Sequence, residues 1–78
     1  MPNARRKPSK TTLLALGERV RRARKAKGLT QEKLAELIDV HPRMIQKIEA
    51  GQTNIVVTTA MRLVRALGCK WEELMPEE

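Results

Sequence analysis

The side chains with most chemistry to offer are cations and amides. Arg43, Gln46 and Lys47 stand within five residues of one another. They are donors of the kind that read base edges: Arg or Lys donates to guanine O6 and N7, and Gln pairs with adenine. A larger store of positive charge lies upstream. Residues 1–27 hold Arg5, Arg6, Lys7, Lys10, Arg19, Arg21, Arg22, Arg24, Lys25 and Lys27 against one acid, Glu18. The far end reverses the sign, with Glu72, Glu73, Glu77 and Glu78 against Lys70. A formal net charge of +7 distributed in this way attracts polyanions, either nucleic acid or an acidic membrane surface.

Catalysis is poorly provided for. The terminal acids stand in no catalytic constellation, no nucleophile–base pair is evident, and no acidic cluster suits the metal of a nuclease. The chain is therefore expected not to be an enzyme. His41 and Cys69 are the only residues of their types, too few for a structural zinc site, so neither metal nor cofactor is expected. One cysteine allows no intrachain disulfide, which suits a reducing, cytoplasmic setting. No apolar run approaches a membrane span, and no signal-peptide pattern is present.

The elements that must position these groups follow from composition and periodicity. The 78 residues suffice for one small domain, and no small-molecule effector domain is expected. With no Phe or Tyr, and Trp71 as the sole aromatic, the core must be aliphatic, which favours helices. Residues 1–10 lack apolar periodicity and read as a flexible basic arm, leaving residues 11–78 as the domain. A first helix is expected from Thr11 or Thr12, capped by a hydroxyl, with Leu13, Leu16, Val20 and Ala23 inward and Gly28 at its end. Gly17 weakens this helix locally without ending it. Thr30 caps a second helix over Gln31 to Ile38, with Leu34, Ala35 and Ile38 inward. Asp39 follows in a left-handed turn. A third helix runs from Pro42 to Ala50 and closes at Gly51. A fourth spans Val57 to Leu67, with Val57, Ala60, Met61, Val64 and Leu67 as its apolar face, and a short fifth covers Trp71 to Met75.

The second and third helices are joined by only Asp39, Val40 and His41, so they must cross steeply, and Ala35 is small where they approach. Val40 plugs the corner between them. Leu34, Ala35, Ile38, Val40, Ile45 and Ile48 have the spacing of a helix-turn-helix. Residues advance about 100° each around a helix, so with Ile45 and Ile48 inward, Arg43, Gln46, Lys47 and Ala50 face outward. That surface is either an ordinary solvated face or a base-reading one; inside this motif the base-reading alternative is the stronger.

Leu29-Thr30-Gln31-Glu32-Lys33-Leu34-Ala35-Glu36, followed by Ile45-Gln46-Lys47-Ile48-Glu49-Ala50-Gly51, resembles the phage repressor and Cro type of helix-turn-helix, the XRE family. Arg19-Val20-Arg21 with Arg24, and Arg65-Ala66-Leu67-Gly68, also match family patterns, so the resemblance covers about residues 16–75. It implies an all-α, compact five-helix domain of the lambda-repressor-like fold. Helices two and three would form the helix-turn-helix, with helix three in the major groove of double-stranded DNA, often in a homodimer. Three positions depart from the pattern. Pro42 replaces a frequent polar base-reader and could touch only a thymine methyl, Asp39 replaces the common turn glycine, and His41 replaces a capping Ser or Thr.

By the same resemblance Thr30 and Gln31 approach the phosphate backbone, which also suits the free N–H groups of a helix N-terminus. Thr53 and Asn54 are either phosphate contacts, as in the family, or turn formers. His41 is either a phosphate donor or a solvent-exposed turn residue. Arg5, Arg6 and Lys7 either follow a groove or form a solubilising tail. Glu49 lies beside the inward face and needs a partner; similar proteins supply an arginine of the first helix, here Arg24, for a structural salt bridge. Trp71, Met75, Ile55 and Val56 either close the core or form a dimer seam, and Cys69 fills an apolar slot. The expected function is a sequence-specific, double-stranded DNA-binding transcriptional regulator, a homodimer on a palindromic operator. The alternative is a protein-interaction adaptor or an antitoxin-type module using the same fold. RNA binding is disfavoured by the lack of aromatic stacking platforms.

Overall fold

The computed structural model describes residues 9–77, and all five elements are helices: α1 (Lys10–Ala26), α2 (Gln31–Ile38), α3 (Pro42–Glu49), α4 (Val57–Leu67) and α5 (Trp71–Leu74). The arm residues Arg5, Arg6 and Lys7 lie outside the described residues. Helix α1 starts earlier than Thr11 or Thr12, because Ser9 is its cap. Ser9 has extended backbone, and its hydroxyl accepts from the Thr12 N–H at 3.0 Å. Thr12 is already helical, with its own hydroxyl 2.8 Å from that of Ser9.

Thr30 caps α2 by accepting from the Lys33 N–H at 3.0 Å. Asp39 then takes the left-handed conformation at φ 59°, the one non-glycine residue among those described to do so. That reversal lets the Val40 N–H return to the Ala35 carbonyl at 3.0 Å and turns the chain into α3, which packs on α2. Ala35 is fully buried at the crossing, and Val40 is half-buried against the core. Helix α3 ends one residue short of Ala50, which forms its C-cap. Gly51 follows at φ 70°, where an L side chain is strained and a Cβ would press on Leu14.

Leu16, Val20, Leu34, Ile38, Ile45, Ile48, Leu63, Leu67 and Leu74 make the aliphatic core. Leu13 and Ala23 of the expected α1 face are only half-buried. The α4 face differs more. Ala60, Leu63 and Leu67 are buried, whereas Val57 and Met61 are 66% and 51% exposed. Helix α4 is apolar around much of its circumference, so two stripes one residue apart fit its periodicity equally well. The stripe carrying the bulky Leu63 turns inward. Helix α5 stops at Leu74, and the Met75 carbonyl accepts from Arg19 Nη1 at 3.1 Å. Ile55 and Met75 pack on the core, while Val56 and Trp71 stay exposed. Cys69 packs half-buried, and burial, followed by the nearby Glu73 carboxylate, pushes its thiol up from the ordinary value.

Candidate nucleic-acid interface

Helix α3 is amphipathic on the narrowest scale. Ile45 and Ile48 are completely buried, and Arg43, Gln46, Lys47 and Ala50 are exposed on the other side. Neither Arg43 nor Lys47 meets a carboxylate among the described residues; the ion pairs there are Arg22–Glu18, Lys33–Glu36 and Arg24–Glu49. Their donors are therefore available to an external acceptor.

His41 begins α3. Its Nδ1 accepts from the Arg43 N–H at 3.0 Å, so the ring replaces the hydroxyl cap usual at such a position. An accepting Nδ1 places the ring proton on Nε2, which is left as an outward donor. His41, Arg43, Met44 and Lys47 line one shallow groove along α3. Met44 escaped the sequence reading. It precedes the buried Ile45, about 100° round from it, and lies 40% exposed at the edge of the outward face. Such a side chain suits apolar contact with a thymine methyl.

The candidate phosphate-facing residues divide by how their donors are used. The Thr30 hydroxyl accepts at the cap, so its O–H remains free to donate outward. Gln31 is half-buried, and its Nε2 donates to Glu49 Oε1 at 3.0 Å. What it offers outward is chiefly the first-turn N–H of α2, which has no intrahelical partner. In the loop after α3, the Thr53 hydroxyl donates to the Asn54 carbonyl at 3.2 Å, and Asn54 Oδ1 accepts from the Ile55 N–H at 2.9 Å. Both side chains therefore shape the turn, and the Asn54 amide nitrogen remains as a donor.

Behind the outward face, Arg24 and Glu49 meet at 2.6 Å (Nε to Oε2) and 3.1 Å (Nη2 to Oε1). Their side chains are only 10% and 5% exposed. Arg24 Nη1 also donates to the Leu29 carbonyl at 2.7 Å, so one guanidinium ties α1, the start of α2 and the end of α3 together. Gly17 tightens the same junction. A Cβ there would run into the Ile48 carbonyl oxygen and come within 2.6 Å of that of Glu49. Helix α3 is thus held against α1 by a backbone approach and an ion pair.

The helix-turn-helix family HTH_3 matches residues 20–74. Control protein C.BamHI of Bacillus amyloliquefaciens is 35% identical over 63 residues, covering 80% of this chain and 78% of that protein. Control protein C.SmaI of Serratia marcescens is 32% identical over 63 residues, covering 81% and 75%. The crystal structure of the restriction-modification controller protein C.AhdI from Aeromonas hydrophila superposes with a TM-score of 0.80 at 35% identity, covering 83% of this chain and 98% of that one. With its ends of α2 and α3 set in this geometry, the chain belongs to the helix-turn-helix family HTH_3 and is a DNA-binding transcriptional regulator.

Proposed function

We propose that the protein acts as a two-fold dimer on a palindromic operator in double-stranded DNA and, like the control proteins it resembles, governs a restriction–modification system. The observation that carries this reading is the outward face of α3. Arg43, Gln46 and Lys47 stand there without a carboxylate partner among the described residues, opposite two fully buried isoleucines, and read base edges in the major groove. Thr30, the first-turn N–H of Gln31, the His41 ring and the turn formed by Thr53 and Asn54 surround that face with donors for phosphate. The basic arm, with Arg5, Arg6 and Lys7, adds a sequence-independent attraction. The role is binding rather than catalysis, and it calls for the cytoplasm, where the DNA is.

The dimer rests on apolar surface that the monomer leaves in water. Val57 and Met61 lie one turn apart on the solvent side of α4, with Val56 beside them and Trp71 41% exposed at the start of α5. Selection of bound sites from a random duplex library tests the reading. A two-fold dimer selects a palindrome with half-site centres about 10 base pairs apart, one turn of duplex. An asymmetric single site removes the dimer, and a library without enrichment removes base reading.

A further inference from the structure

We propose that the cleft between α1 and α3 is a binding site for a DNA backbone phosphate, with Arg21 and Lys25 as its ligands. The proposal rests on α3 being the helix that meets DNA. Arg21 and Lys25 are four residues apart on α1, share one surface of it, and line the cleft. Both are exposed, and neither is in an ion pair among the described residues, unlike Arg22, which Glu18 holds at 3.1 Å. Gln46 of α3 lines the opposite side with an amide donor. Ala50, four residues on from it, also lines the cleft and carries only a methyl group.

The floor explains why an anion would be accepted. Its acid is Glu49, which alone could repel a phosphate. Both Glu49 oxygens already accept hydrogen bonds, Oε2 from Arg24 and Oε1 from Arg24 and Gln31. Arg24 cancels its charge at contact distance, and only 5% of its side chain reaches solvent. The uncompensated charge of the cleft is that of Arg21 and Lys25. Position supplies the ligand's identity. A helix about 10–12 Å across fills a major groove about 12 Å wide, so a phosphate strand must run along each flank. The flank of α3 on the Gln46 and Ala50 side is the one this cleft borders. Phosphodiester oxygens are therefore what Arg21 and Lys25 meet, and they supply affinity without sequence preference.

The test compares wild type with Arg21→Gln, Lys25→Gln and the double variant, which keep much of the aliphatic stem and lose the charge. Affinity is measured on a selected duplex and on random duplex across a salt series. Each lost contact should flatten the slope of log affinity against log salt by about 0.9. The fall in affinity between about 50 mM and about 200 mM salt then shrinks about 3-fold per contact. The loss should be alike on both duplexes, Lys25→Arg should retain the wild-type slope, and Arg22→Gln should leave it unchanged. A neutral methylphosphonate at the flanking phosphate of each half-site should weaken wild type and leave the double variant's affinity where it was. If wild type binds duplex and the double variant keeps its slope and affinity, the phosphate site is overturned while the DNA reading stands. If wild type fails to bind duplex, both fall together.

Discussion

Removing the Arg24 guanidinium should destabilise the protein in the absence of DNA. Arg24→Met keeps the aliphatic stem in place, so the change isolates three hydrogen bonds: two to Glu49 and one to the Leu29 carbonyl. It leaves a carboxylate 5% exposed, held only by Gln31. Breaking one side of a buried pair costs about 3–5 kcal/mol, because the remaining charge stays desolvated. The cleft beside Glu49 is open at the surface, so water can reach the stranded carboxylate and the cost should fall near the lower end, about 3 kcal/mol. For a domain of this size that lowers the melting temperature by about 12–24 °C. Thermal unfolding followed by circular dichroism, without DNA, reads it directly. The double variant Arg24→Met with Glu49→Leu removes the stranded charge and should recover much of the loss. A melting temperature within a few degrees of wild type in Arg24→Met, or a double variant that merely sums the two single losses, would refute the clamp.

Three further outcomes follow from the same geometry. Gly17→Ala should destabilise the protein in chemical denaturation, although helix propensity alone would add about 1 kcal/mol. The new methyl meets the Ile48 and Glu49 carbonyls, an overpacking cost of about 1–3 kcal/mol, and a more stable variant would show that α1 and α3 are not in such close approach. His41→Ala should lose the cap of α3, about 0.5–2 kcal/mol, and His41→Asn should restore most of it; equal melting temperatures in all three proteins would discount the cap. Met61→Asp should leave the monomer folded, since the side chain is half in solvent, but weaken self-association at least tenfold, about 1.4 kcal/mol, in sedimentation equilibrium. An unchanged association constant would move the seam elsewhere.

Much of this architecture is written locally. Thr30 as a cap, Pro42 in a first helical turn and Asp39 at a left-handed reversal delimit α2 and α3, because each acts through its own backbone or the next few residues. The outward placement of Arg43, Gln46 and Lys47 follows from Ile45 and Ile48 by helical geometry alone. Other features depend on partners distant in sequence. The close approach at Gly17 requires α1 to cross the end of α3, 31 residues on to Ile48, and reads locally as a mere weak point in a helix. Gln31 turning to Glu49 needs the tertiary fold, and it reassigns the outward donor from the side chain to the backbone. The start of α1 was ambiguous because Ser9, Thr11 and Thr12 all offer a capping hydroxyl. In α4 the choice between the Leu63 stripe and the Val57 and Met61 stripe is made by what packs against the helix, so periodicity could not decide it.

The central claim is that the outward face of α3 reads DNA sequence, and the base preference of Arg43→Ala tests it most directly. Sites are selected from one random duplex library by wild type and by the variant, and affinities are then measured on the wild-type site and on its single-base changes. Arg43 stands opposite the buried Ile45 and Ile48 with no carboxylate partner among the described residues, so its loss should leave folding intact. It should cost about 1–3 kcal/mol on the selected site and relax preference at one base pair in each half-site, leaving the other positions as they were. An Arg43→Ala protein that selects the wild-type site with undiminished preference at every position would contradict the claim.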